Sequence, residues 1–132
     1  MLKGIPRIIS PELLKILCEM GHGDTLVIAD GNFPAASLSS KLITLSGHGS
    51  IAVLEAILEL FPLDEAPITQ IGVMETADQS KPEIWEAYAK HATELVPIER
   101  YAFYEKAKNA YCIIATSESA LYANAILTKG VL

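Results

Sequence analysis

The sequence predicts an α/β fold of three layers, α/β/α, with a parallel or mixed central sheet in a single domain over residues 1–132. Three observations predict it. Short runs such as "DTLVIA" and "YCIIAT" are β-branched and apolar at nearly every position, the pattern of strands buried on both faces. Between such runs lie segments whose apolar residues recur at helical spacing, so that strands and helices alternate along the chain. Finally, 132 residues that are 51% hydrophobic and 20% charged are enough to bury about two thirds of the unfolded surface without disulfide or metal. The apolar fraction also leaves surface to spare for a second subunit.

The first helix is predicted over residues 11–20. Ser10 can accept from a free first-turn amide, and Pro11 suits the first helical position, where its missing N–H costs nothing. Leu13, Leu14, Ile16, Leu17 and Met20 repeat at helical spacing, and Gly21 ends the helix. His22 therefore follows a helix C-terminus.

Residues 24–29 read as a buried strand with Asp30 at its C-terminal end. Gly31 and Pro34 then break the chain, and residues 41–45 form a second strand. A helix over residues 50–61 carries Ile51, Leu54, Ile57, Leu58 and Phe61 and stops before Pro62. Next come a strand over 68–74, the polar loop "ETADQSKPE" and a helix over 82–91. The remainder is predicted as a strand over 97–101, a helix over 103–110 and strands over 111–116 and 123–127. No repeat, low-complexity segment or linker interrupts the series.

Several function classes are disfavoured by composition. A net charge of −6 and a pI near 5.0, with no basic cluster, argue against a nucleic-acid partner. No apolar run approaches the ~18 residues of a membrane span and no export leader is evident, so the expected location is the cytoplasm, off the membrane. Cys18 and Cys112 lie in apolar, patterned segments and are expected to be buried free thiols, as suits a reducing compartment.

His22, His48 and His91 are far apart in sequence, with no H-x-x-x-H or C-x-x-C, so no metal is expected. "GHGD" and "GHG" match neither the P-loop nor the dinucleotide fingerprint, and no G-x-S-x-G occurs, so no cofactor is implied.

His22 and Asp30 remain as candidates for chemistry. The strand between them would hold them roughly 20 Å apart, so a site using both needs a neighbouring subunit or a sharp bend. The plainer alternative makes His22 a solvated loop residue and Asp30 a cap on the next segment. Arg100 in "ERYAFYE", beside aromatics, suits sugar or carboxylate binding, or else a surface salt bridge with Glu99 or Glu105. Tyr122 and Asn124 in "LYANAIL" would share one face of an extended segment, to bond neutral hydroxyls or to form the polar exterior of an edge strand. Spacing alone leaves each pair of readings open.

Taken together, "ISPELLKILCEMGHGD", "AD" with "FP" close behind, "RYAFYEKA" and "YANAILTKGV" resemble the D-ribose pyranase and L-fucose mutarotase family, in that order and over nearly the whole chain. The opening segment and the R-x-A-F-Y-E segment are the more specific signals, and they resemble the L-fucose mutarotase branch most. The chain departs from that branch in "DGNFPA", where Gly31 and Asn32 replace an alanine and a histidine.

The resemblance implies a cofactor-free isomerase acting on a free monosaccharide, built as a homo-oligomer, a pentameric ring or a decamer, with sites between subunits. It implies His22 as the catalytic residue and Asp30, Arg100, Tyr122, Ala123 and Asn124 as substrate-binding residues. Phe33, or an aromatic near Arg100, is expected against the apolar face of the sugar. Two other classes share part of this evidence: a non-catalytic sugar-binding module accompanying a transporter or regulator, and a purely structural oligomer.

Overall fold

A computed structural model describes all of residues 1–132. The elements in chain order are α1 (Pro11–Glu19), β1 (Thr25–Ala29), α2 (Ala35–Leu38), β2 (Leu42–Leu45), α3 (Ser50–Leu58), β3 (Ile71–Met74), α4 (Ile84–Ala89), β4 (Leu95–Ile98), α5 (Arg100–Lys108), β5 (Cys112–Thr116) and β6 (Ala125–Thr128). The strands form one sheet in the order β2-β5-β1-β6-β3-β4. β6 runs antiparallel to both its neighbours, β1 and β3, while the other pairings are parallel. The sheet is therefore mixed, with five strands pointing one way and one returning between them.

Alternation along the strands builds the three layers. Leu26 and Ile28 of β1, with Ile114 and Leu127, meet α1, α3 and α4 through Leu13, Leu54, Ile57 and Trp85. Val27 and Ala29, with Ile113 and Ile126, meet α2 and α5 through Ala35, Phe103 and Ala107 on the other side. Each fully buried Leu or Ile contributes about 1.5–3 kcal/mol by leaving water. This is the reason the central strands read as unbroken apolar runs.

Local signals act as expected in α1. The Leu13 amide donates to Ser10 Oγ at 3.1 Å, and Pro11 takes the first turn. Cys18, however, is exposed while Cys112 is buried, which corrects the expectation of two buried thiols. Leu13, Ile16, Leu17 and Met20 share the core face, and position 18 lies about 100° round the helix from position 17. Burial pushes the Cys112 thiol up to about 11, so it remains an inert protonated group.

Other elements also differ from the sequence reading: β3 begins at Ile71 and not at 68, and α3 ends at Leu58 and not at 61. β4 is Leu95–Ile98, not residues 97–101, because Glu99 caps α5 through bonds from the Tyr101 and Ala102 amides, and Arg100 is already helical. The helix expected over 82–91 is shorter, Ile84–Ala89. α2 was not anticipated, since four residues carry no periodic signal.

Candidate active site

Because five strands run in parallel, the loops after β1, β3, β4 and β5 emerge at one edge of the sheet, and the segment entering β6 starts from that same edge. This carboxyl edge is where open α/β sheets place their ligands. It gathers Asp30, Asn32, Phe33, Met74, Arg100, Tyr104, Leu121, Tyr122 and Asn124 around a hollow of about 250 Å³.

The floor of the hollow is a locked pair. Asp30 and Asn124 are 6% and 4% exposed, 94 positions apart in sequence, and joined because β1 and β6 are neighbours. The Asp30 amide donates to Asn124 Oδ1 at 2.7 Å, and Asn124 Nδ2 donates to Asp30 Oδ2 at 3.0 Å. Asp30 Oδ1 accepts from the Asn32 amide at 3.0 Å. Both carboxylate oxygens are thus held in place, each with acceptor capacity left for a ligand hydroxyl.

One wall is aromatic. Phe33 packs edge to face against Phe103 and Tyr104, with centroids 5.8 and 5.6 Å apart. Arg100 Nε donates to the Tyr104 hydroxyl at 3.0 Å, and its guanidinium lies 5.5 Å from the Tyr104 ring centre. Arg100 pairs with Tyr104 and makes no salt bridge to Glu99 or Glu105, whose partners lie elsewhere.

Tyr122, which has a φ of +57°, also lines the hollow. The extended geometry expected for Tyr122 and Asn124 is thereby corrected: the chain turns through a left-handed residue before β6, and this turn puts both side chains against the same hollow. Left-handed backbone is strained for a non-glycine residue, and α4 holds it. Trp85 Nε1 donates to the Tyr122 carbonyl at 3.2 Å, and the buried Tyr88 hydroxyl donates to the Ala123 carbonyl. Burial pushes the Tyr88 phenol well above its ordinary value, so it stays a donor. Ala123 is fully buried behind the hollow and contributes its backbone.

Glu118, after β5, braces the same edge. Its backbone carbonyl accepts from the Gly31 amide at 2.8 Å, and its carboxylate accepts from the Ser50 amide and hydroxyl at 3.0 and 3.1 Å, closing the N-terminus of α3. The Ala120 amide first, and the Ser50 amide and hydroxyl in addition, hold its carboxyl below the usual range.

His22 is elsewhere. It precedes β1, so the length of that strand, roughly 17 Å for five residues, separates it from Asp30. Its side chain is 59% exposed, and Nε2 lies 3.1 Å from Oδ2 of the buried Asp64. No bend brings His22 to the hollow within one chain. The hollow is not the roomiest on the surface: a cleft of about 470 Å³ beside α4, lined by the exposed Lys81, Glu86 and Glu94, exceeds it without a comparable set of fixed polar groups.

The sequence reading missed Met74, Leu121 and Asp64, and did not connect Trp85 and Tyr88 to the site. Met74 was findable in principle, as the last residue of a parallel strand. The others had no local signal.

An α/β sheet carrying, at its carboxyl edge, a small hollow of fixed carboxylate, amide, guanidinium and phenol groups beside an aromatic face defines a protein built for a compact polyhydroxylated ligand. The chain belongs to the RbsD / FucU transport protein family, whose model matches residues 3–132. It is 46% identical to the L-fucose mutarotase of Actinobacillus pleuropneumoniae serotype 5b, over 99% of this chain and 97% of that protein. The crystal structure of the Streptococcus pneumoniae fucose mutarotase in complex with L-fucose superposes with a TM-score of 0.92 at 45% identity, covering 99% of both chains. FucU from Bifidobacterium longum superposes equally well, at 52% identity, over 98% of this chain and 99% of its own.

Proposed function

We propose that the protein is an isomerase that interconverts the anomers of a free monosaccharide, L-fucose, by opening and reclosing the sugar ring. The observation that carries this reading is the locked Asp30–Asn124 pair at the base of a hollow faced by Arg100, Tyr122 and Phe33, in a chain so similar to proteins named for this activity. A neutral sugar offers no charge to grip, so an array of fixed hydrogen-bonding groups is what its recognition requires.

The chemistry needs one group to take the proton from the anomeric hydroxyl and another to protonate the ring oxygen. The C1–O5 bond breaks as the C1 carbonyl forms; rotation about C1–C2 and reclosure then return both protons and give the other anomer. Closure through a different hydroxyl of the same open chain would give the furanose as a second activity. His22 is the side chain in this constellation that can both accept and donate near neutral pH. Asp30, Arg100, Tyr122 and Asn124 hold the sugar hydroxyls, while the buried Ala123 shapes the turn.

Since His22 and Asp30 of one chain cannot meet, the site is completed by His22 of a neighbouring subunit in a cytoplasmic homo-oligomer, a pentameric ring or a decamer. The exposure of His22, and of Leu121 at the hollow at 66%, supports this arrangement. No helix is long and apolar enough to cross a membrane.

Saturation-transfer NMR on L-fucose tests the activity, and exchange no faster with protein than without it would end the enzyme reading. Sugar binding by calorimetry without accelerated exchange would instead identify a non-catalytic binding module. Mixing His22→Ala and Asp30→Asn subunits tests the shared site: co-assembled oligomers should regain activity that neither variant has alone.

A further inference from the structure

We propose that Asn32 is a further sugar-binding residue, and one that sets specificity: its carboxamide spans two neighbouring hydroxyls of the sugar, accepting from one and donating to the other. This rests on reading the hollow at the carboxyl edge as a sugar site.

The backbone at position 32 is fixed while the side chain is free. The Asn32 amide donates to Asp30 Oδ1 at 3.0 Å, and the amides on either side are committed as well, Gly31 to the Glu118 carbonyl at 2.8 Å and Phe33 to the Asp30 carbonyl at 3.2 Å. Gly31 sits so close to the segment after β5 that an added Cβ would stand 3.1 Å from the Glu118 carbonyl oxygen. The turn is thus held to the same carboxylate that floors the hollow. None of these bonds uses the Asn32 carboxamide, which belongs to an exposed residue lining the hollow and has no partner within the chain.

The other polar groups around the hollow leave this carboxamide a task. Asp30, as a carboxylate, can only accept, and the Arg100 guanidinium can only donate. Asn124 could do both, but its amide group is turned to Asp30 Oδ2 at 3.0 Å and toward Met74 Sδ at 3.9 Å, and its Oδ1 already takes the Asp30 amide. The phenols of Tyr104 and Tyr122 offer one atom each, and that of Tyr104 already accepts from Arg100 Nε. Two neighbouring hydroxyls need, between them, an acceptor for one hydrogen and a donor to one lone pair. A planar carboxamide supplies both side by side, and Asn32 is the residue at the hollow that presents them uncommitted.

Calorimetric titration of L-fucose and of its 2-deoxy, 3-deoxy and 4-deoxy analogues into wild-type protein and Asn32→Ala is the test. Two analogues, those lacking hydroxyls on adjacent carbons, should bind the wild type at least about fivefold more weakly than L-fucose does. In Asn32→Ala the penalty for lacking either of those hydroxyls should shrink at least about threefold, while the penalty for the third stays as it was. In exchange kinetics on L-fucose, KM should rise by more than kcat falls, because the contact is made before the ring opens as well as during it.

Equal penalties in the two proteins for all three analogues would overturn the proposal, since a merely loosened loop weakens every sugar alike. Coupling to a single hydroxyl, or to those on C2 and C4 without C3, would overturn the paired contact. If wild-type protein binds L-fucose without accelerating exchange, the mutarotase reading falls while the titrations still decide the role of Asn32; no binding of L-fucose at all overturns both.

Discussion

At each edge of the sheet a buried carboxylate meets a hydrogen-bonding partner from a distant part of the chain, but the two edges are finished to different degrees. At the carboxyl edge Asp30 and Asn124 bond each other twice, both are buried, and a ring of side chains surrounds a hollow. At the amino edge Asp64 holds a single nitrogen of His22, and most of that ring faces outward. In the proposed site the finished edge holds the sugar and the unfinished edge lends its histidine to a neighbouring subunit. The contrast teaches that the separation of His22 from Asp30, awkward within one chain, suits a division of labour between subunits.

The largest effect should come from the amino edge. His22→Ala should lower the exchange rate at least about a hundredfold, with circular dichroism, assembly and L-fucose affinity nearly unchanged. Near-normal exchange would break the comparison, since the amino edge would then have no part in the chemistry.

Next is the carboxyl edge itself. Asn124→Ala strips a partner from the Asp30 amide and from its carboxylate, so binding and stability should fall together. Leaving buried groups unpaired costs about 1–3 kcal/mol, readable in thermal unfolding, alongside a weakening of L-fucose binding of at least about tenfold. A variant that loses stability yet binds normally would show that the pair is scaffold only.

A smaller effect is expected behind the site. Trp85→Phe removes the N–H that holds the Tyr122 carbonyl, a bond worth about 0.5–1.5 kcal/mol. Loosening the left-handed Tyr122 should raise KM several-fold, by about that free energy. The cost should shrink when Tyr122→Phe is already present, because both changes act on one phenol; strictly additive costs would separate Trp85 from the site.

The smallest effect is one of pH. Glu118 has its carboxyl held below the ordinary value of 4.5 in the folded state, so the folded form binds its proton less readily than the unfolded form does. Its stabilisation is fully present above pH 4.5 and fades as pH falls through the lower folded value. Glu118→Gln, which keeps an acceptor oxygen but no charge, should therefore be less stable at pH 7 by about 0.5 kcal/mol, the low end for loss of a helix cap, and the gap should narrow below pH 4.5. A gap constant with pH in thermal unfolding would deny the carboxylate this role.

Local chemistry made much of the fold legible. Ser10 and Pro11 announced α1 because capping needs only neighbours in sequence, and "TLVIA" announced β1 because burial on both faces leaves no polar positions. Where a boundary depended on an uncommon device, legibility failed. Glutamate is not among the favoured caps, yet Glu99 starts α5 and moves Arg100 onto it. In α1, the apolar character of Cys18 suggested the core, while its angular position kept it in solvent.

The candidate site divides in the same way. The sequence by itself determined which side chains were available, that His22 would follow a helix end, that Asp30 would end a strand, and that a whole strand would separate them. Only the tertiary structure decided that β6 runs antiparallel between β1 and β3, bringing Asn124 to Asp30, that α4 reaches over to hold Tyr122 and Ala123, and that Asp64 comes to His22. The physical reason is one of range. Caps, turns and side-chain periodicity are settled among residues a few positions apart, whereas strand order is settled by which apolar faces bury one another, a choice made between segments far apart in the chain.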